Sequence, residues 1–393
     1  MTVRREGTDF VTGVALHQAG TSARRPVATN TLFFPAATIY AIFVLPASVL
    51  SILGITSAFP GLATATSHAH EMLFGFALAV VAGNQAGALA VGRLAMVFGL
   101  WMLARASFVL APQSLVAAAA NIGFAAVLAA QLAPRLFKSA KKMRNQALPM
   151  VLTAICASAI AFQVAPHAGF MPAEHALLMV AVLLFALLLL FMGGRILAPA
   201  VAGQFYRQGG RLDTRVQPNI ESVLIVAMAV AAAASALAGE PRFATLAAIA
   251  MVAAGLLAAL RLLRWRLWAL RGRPDILCIG AGYGWLAIGL VLLGAALAAG
   301  RHQTTALHVI TVGGLGTLTL NVIAMTWLQK ARRDRSRARL QVWSTMLIGV
   351  ATVARALAGL GAYDPQVLLL VSAACWSGAF GLLLLLLVRI PAR

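Results

Sequence analysis

The run His68-Ala69-His70-Glu71-Met72 puts two imidazoles and a carboxylate within two turns of one segment. On a regular helix, i, i+3, i+4 and i+7 spacing sets His68, Glu71, Met72 and Gly75 on one face and points His70 roughly the other way. Neutral imidazole is the commonest side-chain metal ligand and an axial ligand of haem, and a neighbouring carboxylate can accept its second N–H. Glu174-His175 repeats the His and carboxylate pair, and His308 lies on a stripe with Thr304, Thr311, Leu315 and Thr319. A single His at a helix entry is more often an interfacial residue with its polar tip in water. Several at one depth on different segments point instead to a shared site.

Arg105 and Arg355 belong to the same layer. A guanidinium at membrane depth cannot neutralise itself, so it needs a carboxylate, backbone carbonyls or an anionic cofactor group such as a haem propionate. The candidate cofactor-binding set is therefore His68, His70, His175, His308, Arg105 and Arg355. The four histidines are the candidate metal ligands, and Glu71 stands behind them to orient an imidazole. No catalytic residue is assigned. Asn84, Gln85, Asn121, Gln163 and Asn321 read as interhelical hydrogen-bond partners.

Helices crossing a membrane must position these residues. Of the 393 residues, 61% are hydrophobic and 10% charged, and the mean hydropathy is +0.90, which excludes a soluble domain. A hydrocarbon core of ~30 Å takes about 20 apolar residues. Twelve stretches qualify: 31–53, 70–90, 93–111, 113–133, 147–165, 174–197, 220–239, 241–262, 275–299, 302–328, 341–362 and 365–390. Lipid leaves an open backbone no arrangement but the helix. The expected fold is thus all-α, a polytopic bundle of twelve transmembrane helices over residues 31–390 behind an N-terminal tail of residues 1–30.

Of the 31 Lys and Arg, 27 fall in the two termini and in every second connecting loop. By the positive-inside bias both termini and those loops are cytoplasmic. Net charge of +21 would suggest nucleic acid for a soluble chain; here it is a topology signal facing anionic headgroups, and no nucleic-acid partner is expected. Six of the seven histidines then lie on the sparsely charged side, with His302 and His167 at its surface. The first 30 residues contain no apolar core of signal-peptide length, so the first span is expected to act as the anchor. Cys156, Cys278 and Cys375 stand singly within spans and suit packing rather than a disulfide or thiolate site. Gly313, Gly314 and Gly316, like Gly280, Gly282 and Gly284, read as close-packing positions, because no strand precedes them for a phosphate loop.

At these residues the chain resembles the NnrS family of bacterial inner-membrane proteins. Residues 68–76, HAHEMLFGF, are similar to the family's signature. Leu100-Trp101 with Arg105 is similar to its LWxxxR element, Gly193-Gly194-Arg195 to its GGR, and His308 to Gly314 to its HAxTxGG. The likeness runs in order from about residue 30 to residue 390. It implies a twelve-helix, multi-pass protein of the bacterial inner membrane that binds haem and copper and acts in the response to nitric oxide and nitrosative stress. The chain departs from the family at Phe162-Gln163, where the family has Phe-His, and at Gly280, which stands for a His. At the end of the tenth span, Met325 and Gln329-Lys330 replace an Arg and a Gly-His. Three family imidazoles and one guanidinium are thus unmatched.

Two other readings stay open. Twelve helices with both ends inside suit a secondary transporter with a midplane substrate site, for which the glycine run from Gly280 to Gly284 would be a helix break. A cofactor-free divergent relative is the other, if the unmatched histidines mark lost binding.

Overall fold

The structure is a computed structural model, and it describes residues 26–141, 143–165, 173–212, 214, 217–270, 272–331, 339–361 and 363–390. Twelve helices are described: α1 (Asn30–Ile52), α2 (residues 65–85), α3 (Val91–Leu110), α4 (Leu115–Ser139), α5 (Met143–Val164), α6 (Ala173–Arg207), α7 (Pro218–Ala236), α8 (Pro241–Arg264), α9 (Pro274–Ala298), α10 (Thr304–Lys330), α11 (Arg339–Leu360) and α12 (Pro365–Arg389). All but α2 are long and apolar enough to cross a membrane. Proline opens α7, α8, α9 and α12, where its missing N–H would have no helical partner anyway.

α2 differs from expectation in two ways. It begins at Ala65, not His70, because the Thr64 hydroxyl accepts from the Ser67 backbone N–H and caps a turn that hydropathy alone does not reveal. It is also built in three registers: α-helical over Ala65–His70, π-helical over Glu71–Ala77, and α-helical again over Leu78–Gln85. α10 repeats this design, with an α turn over Thr304–His308 and a π segment over Val309–Gly316. In both helices the π segment starts at the residue after a histidine. Such wide turns leave backbone groups free of the regular ladder and recur at functional sites.

Consecutive helices pack side by side, and α12 returns to α1. α10 is the most enclosed of the spans, packing on α6, α9, α11 and α12, while α2 leans on α1, α6 and α10. Glycines make the close approaches: a Cβ on Gly314 would come within 2.3 Å of Leu286, and one on Gly316 within 2.6 Å of Trp376. At the end of the bundle carrying the basic loops, Val27–Ala28 pairs antiparallel with Ala88–Leu89. There Lys330 Nζ donates to Asn30 Oδ1 at 2.8 Å, and Trp327 Nε1 donates to the Ile390 carbonyl at 2.6 Å. The opposite, far end carries His68, His70, His175, His302 and His308.

Candidate functional site

The four candidate histidines separate into three places. His70 and Glu71 are both fully buried, each 0% exposed. The His70 Nδ1 and Glu71 Oε1 lie 2.9 Å apart, and Gln163 Nε2, from α5, faces His70 Nε2 at 2.7 Å. With the amide donating to Nε2, the imidazole carries its proton on Nδ1 and donates it to the carboxylate. Phe108 and Phe162 stack on the two sides of the ring, with centroids 4.0 and 4.9 Å away, and Phe74 meets its edge at 5.5 Å. Both ring nitrogens and both ring faces are therefore occupied.

Glu71 is the hub of this knot. Arg105 of α3 donates to its carboxylate and to the Asn121 side-chain oxygen of α4, and the Tyr40 hydroxyl of α1 donates to Glu71 Oε2. Asn121 Nδ2 donates in turn to the Ala117 carbonyl at 2.8 Å. Gly75 makes the close approach of Arg105 possible, since a Cβ there would lie 2.7 Å from Nη1. Its carbonyl, within the π segment, accepts from Trp101 Nε1 at 2.9 Å. The buried cation thus meets acceptors at both terminal nitrogens, while its Nε has no hydrogen-bond partner among the described residues, so the ion pair is retained in a low-dielectric interior with one donor unmatched. A regular helix would pair Glu71 with His68. In the structure Arg105 holds Glu71 beside His70 instead.

His68 takes the other direction. Its Nδ1 lies 3.0 Å from Ser48 Oγ of α1, and that hydroxyl also bonds the Leu62 carbonyl. His308 Nδ1 donates to the Thr304 carbonyl at 2.7 Å. Both rings are half-buried, and among the described residues no hydrogen bond engages Nε2 of either. His68, His308 and Arg355 lie within electrostatic range of one another. Two imidazoles from α2 and α10, each anchored through Nδ1, therefore share an electrostatic neighbourhood with a guanidinium from α11.

His175 stands apart. It is exposed on the first turns of α6 and makes no hydrogen bond or ion pair among the described residues. His302 is exposed as well, and His167 lies outside the described residues. Of the amides read as interhelical partners, Gln163 and Asn121 serve the knot, and Asn321 Nδ2 donates to Thr317 O and Thr345 Oγ1. Tyr40 and Ser48 were missed by sequence reasoning. Each is one hydroxyl in an apolar span, a signal too common to select without knowing what faces it.

A second buried ion pair lies toward the basic end. Arg261, 3% exposed, donates to Glu221 Oε2 at 3.2 Å and lies over the Trp265 ring. Gly194 gives it room, as a Cβ there would be 2.8 Å from the guanidinium. By its place in the sequence Arg261 belongs with the cations of a basic loop, and the structure turns it inward to Glu221.

The residues fit a metal or haem unequally. Among the described residues no group of three or more His, Cys, Asp and Glu is disposed to hold a metal ion. The lone pair that His70 would offer is the one Gln163 uses. His68 and His308 retain Nε2, with Nδ1 fixed by an oxygen partner, which is how protein ligands hold an imidazole toward a metal. The imidazoles with a nitrogen left to offer are thus His68 and His308.

The transporter reading looked for a break at Gly280 to Gly284, but α9 runs through those residues without interruption, and Gly282 packs against Leu318. No curated protein matches the chain. The family model described as NnrS protein matches residues 31–393. The motifs at His68, Arg105, Gly193 and His308 all fall within that match, and the chain, a multi-pass helical membrane protein, belongs to the NnrS family.

Proposed function

We propose that this protein is a metal-binding component of the bacterial inner membrane that acts in the response to nitric oxide and nitrosative stress. In this reading the basic end faces the cytoplasm, and His68 and His308 are the ligands of a copper ion or haem iron near the periplasmic face. The observation supporting it is that α2 and α10 each carry an imidazole fixed through Nδ1, with Nε2 unengaged among the described residues, within electrostatic range of Arg355. Membership of the NnrS family supports the choice of metal and biological setting.

The bound group would supply an electron-rich centre able to bind nitric oxide through nitrogen. The chain's own residues supply the rest. Ser48 and the Thr304 carbonyl orient the two rings, and the π turns that follow His70 and His308 set how far each helix advances before its next side chain. Arg355 balances negative charge. His70, Glu71 and Arg105 clamp α2, α3 and α5 behind the site, and His175 and His70 are reserve ligands that enter only on rearrangement.

Absorbance and metal analysis of the purified protein test this. The expected result is stoichiometric copper or a Soret band, lost in both His68→Ala and His308→Ala. Wild-type protein with neither signal sinks the reading and leaves the cofactor-free alternative.

A further inference from the structure

The chain turns from α8 into α9 through a corner with a strained backbone. Arg266 has a φ of +51°, the one positive φ outside glycine among the described residues, and a side chain of this size rarely adopts it. Two turns close around it: the Arg266 N–H donates to the Leu263 carbonyl and the Ala269 N–H to the Arg266 carbonyl, each at 3.0 Å. A 3₁₀ turn over Leu267–Leu270 follows. Leu267 and Leu270 are its buried anchors. Gly280 of α9 admits the first of them, since a Cβ there would lie 2.3 Å from Leu267 Cδ1. With the leucines held inward, Arg264, Arg266 and Trp268 are all exposed.

No acid answers these two guanidinia. Glu221 is taken by Arg261 and Asp275 by Arg273, and among the described residues neither Arg264 nor Arg266 forms an ion pair. The corner also sorts its two indoles, for Trp265 is 0% exposed and Trp268 58%. Along α8, Leu256, Leu260 and Leu263 are exposed at i, i+4 and i+7 spacing, and from Leu256 the helix rises about 12 Å to Arg264. An apolar track thus leads to two cations and an indole. A phospholipid presents matching parts: acyl chain, ester region and phosphate. Indole favours the headgroup level, and a guanidinium pairs with phosphate through parallel N–H groups.

We propose that the corner between α8 and α9 binds an anionic phospholipid of the leaflet at the basic end. Its phosphate lies on Arg264 and Arg266, its ester region against Trp268, and an acyl chain along the α8 track. Any basic loop draws anionic headgroups by charge alone. Here the buried leucines fix where the cations and the indole stand, so one lipid is retained at a defined place. The inference does not depend on the metal reading.

The test is fluorescence quenching of the full-length protein in nanodiscs containing rising fractions of brominated phosphatidylglycerol or brominated phosphatidylcholine. The difference between wild type and Trp268→Phe isolates Trp268 among the seven tryptophans. Phosphatidylglycerol should associate at least about fivefold more tightly than phosphatidylcholine, the scale of one cation at an anionic surface. Arg264→Gln with Arg266→Asn should bring the two lipids level, and Asn tolerates the positive φ, so the corner keeps its shape. Lys138 and Lys141 are exposed in another basic loop, and Lys138→Gln with Lys141→Gln removes the same charge there. That variant should keep the preference. Inorganic phosphate, at an ionic strength matched with sodium chloride, should not relieve the quenching. Equal quenching by the two lipids in wild type, a preference that survives in the arginine variant, the same loss in the lysine variant, or relief by phosphate would each overturn the proposal. The wild-type and lysine-variant comparisons decide it even if the arginine variant fails to fold.

Discussion

Gln163 of α5 meets His70 of α2 amide nitrogen to Nε2, at 2.7 Å, while Phe108 and Phe162 enclose the imidazole from its two faces. The contact turns a residue of ligand type into a buried joint between helices. It also gives the departure from the family's Phe-His a physical meaning: a Gln supplies an N–H to a neutral ring where a His would supply a second ring.

Gln163→Leu should leave the His70 acceptor buried and unpaired. An unsatisfied buried polar group costs about 1–3 kcal/mol, so the variant should unfold at lower temperature in detergent. The metal content attributed to His68 and His308 should stay at the wild-type level. Loss of metal with stability intact would mean that His70, not the far pair, holds the group.

Removing one partner of the Glu71 and Arg105 pair strands a charge in the bundle. Glu71→Gln and Arg105→Met should each destabilise by about 3–5 kcal/mol, the range for a broken buried pair. The double variant should cost clearly less than the two single effects together. Thermal unfolding of the four proteins checks it, and simple additivity would show that the ion pair does not couple these helices.

Gly61 sits under α3 where a Cβ would lie 1.8 Å from the Phe108 carbonyl oxygen. The obstacle is backbone, so it cannot swing aside. Gly61→Ala should therefore push α3 outward and destabilise by about 1–3 kcal/mol, as overpacking does. Near-ultraviolet circular dichroism should change with it, because Phe108 stacks on His70. A wild-type spectrum and melting point would refute the tight approach.

His175→Ala and His308→Ala separate the histidines by function. His175 is exposed and, among the described residues, unbonded, so its removal should leave both stability and metal content unchanged. His308→Ala should abolish metal binding while the protein stays monodisperse on size exclusion. Equal loss in the two variants would bring His175 into the site.

The twelve helices, their lengths to within about a turn in most cases and the end that gathers the basic loops were legible in the sequence. Each depends on local composition: a lipid-spanning helix needs one run of apolar residues, and loop charge needs no folding to be counted. The candidate residues were legible too, since imidazoles and guanidinia in so apolar a chain stand out one at a time. What local composition does not contain is azimuth. Whether His70 turns toward Gln163 or toward His308, and whether Arg261 enters the basic loop or reaches Glu221, depends on which helices are neighbours and on how far each has rotated. Tertiary packing decided that here through Gly75, Gly194 and Gly359, whose missing side chains allow the approaches, and through π turns after His70 and His308 that reset the helical phase. A turn of π-helix depends on partners outside its own segment, Arg105 and Trp101 in the case of α2, so the spacing of residues along α2 could not reveal it.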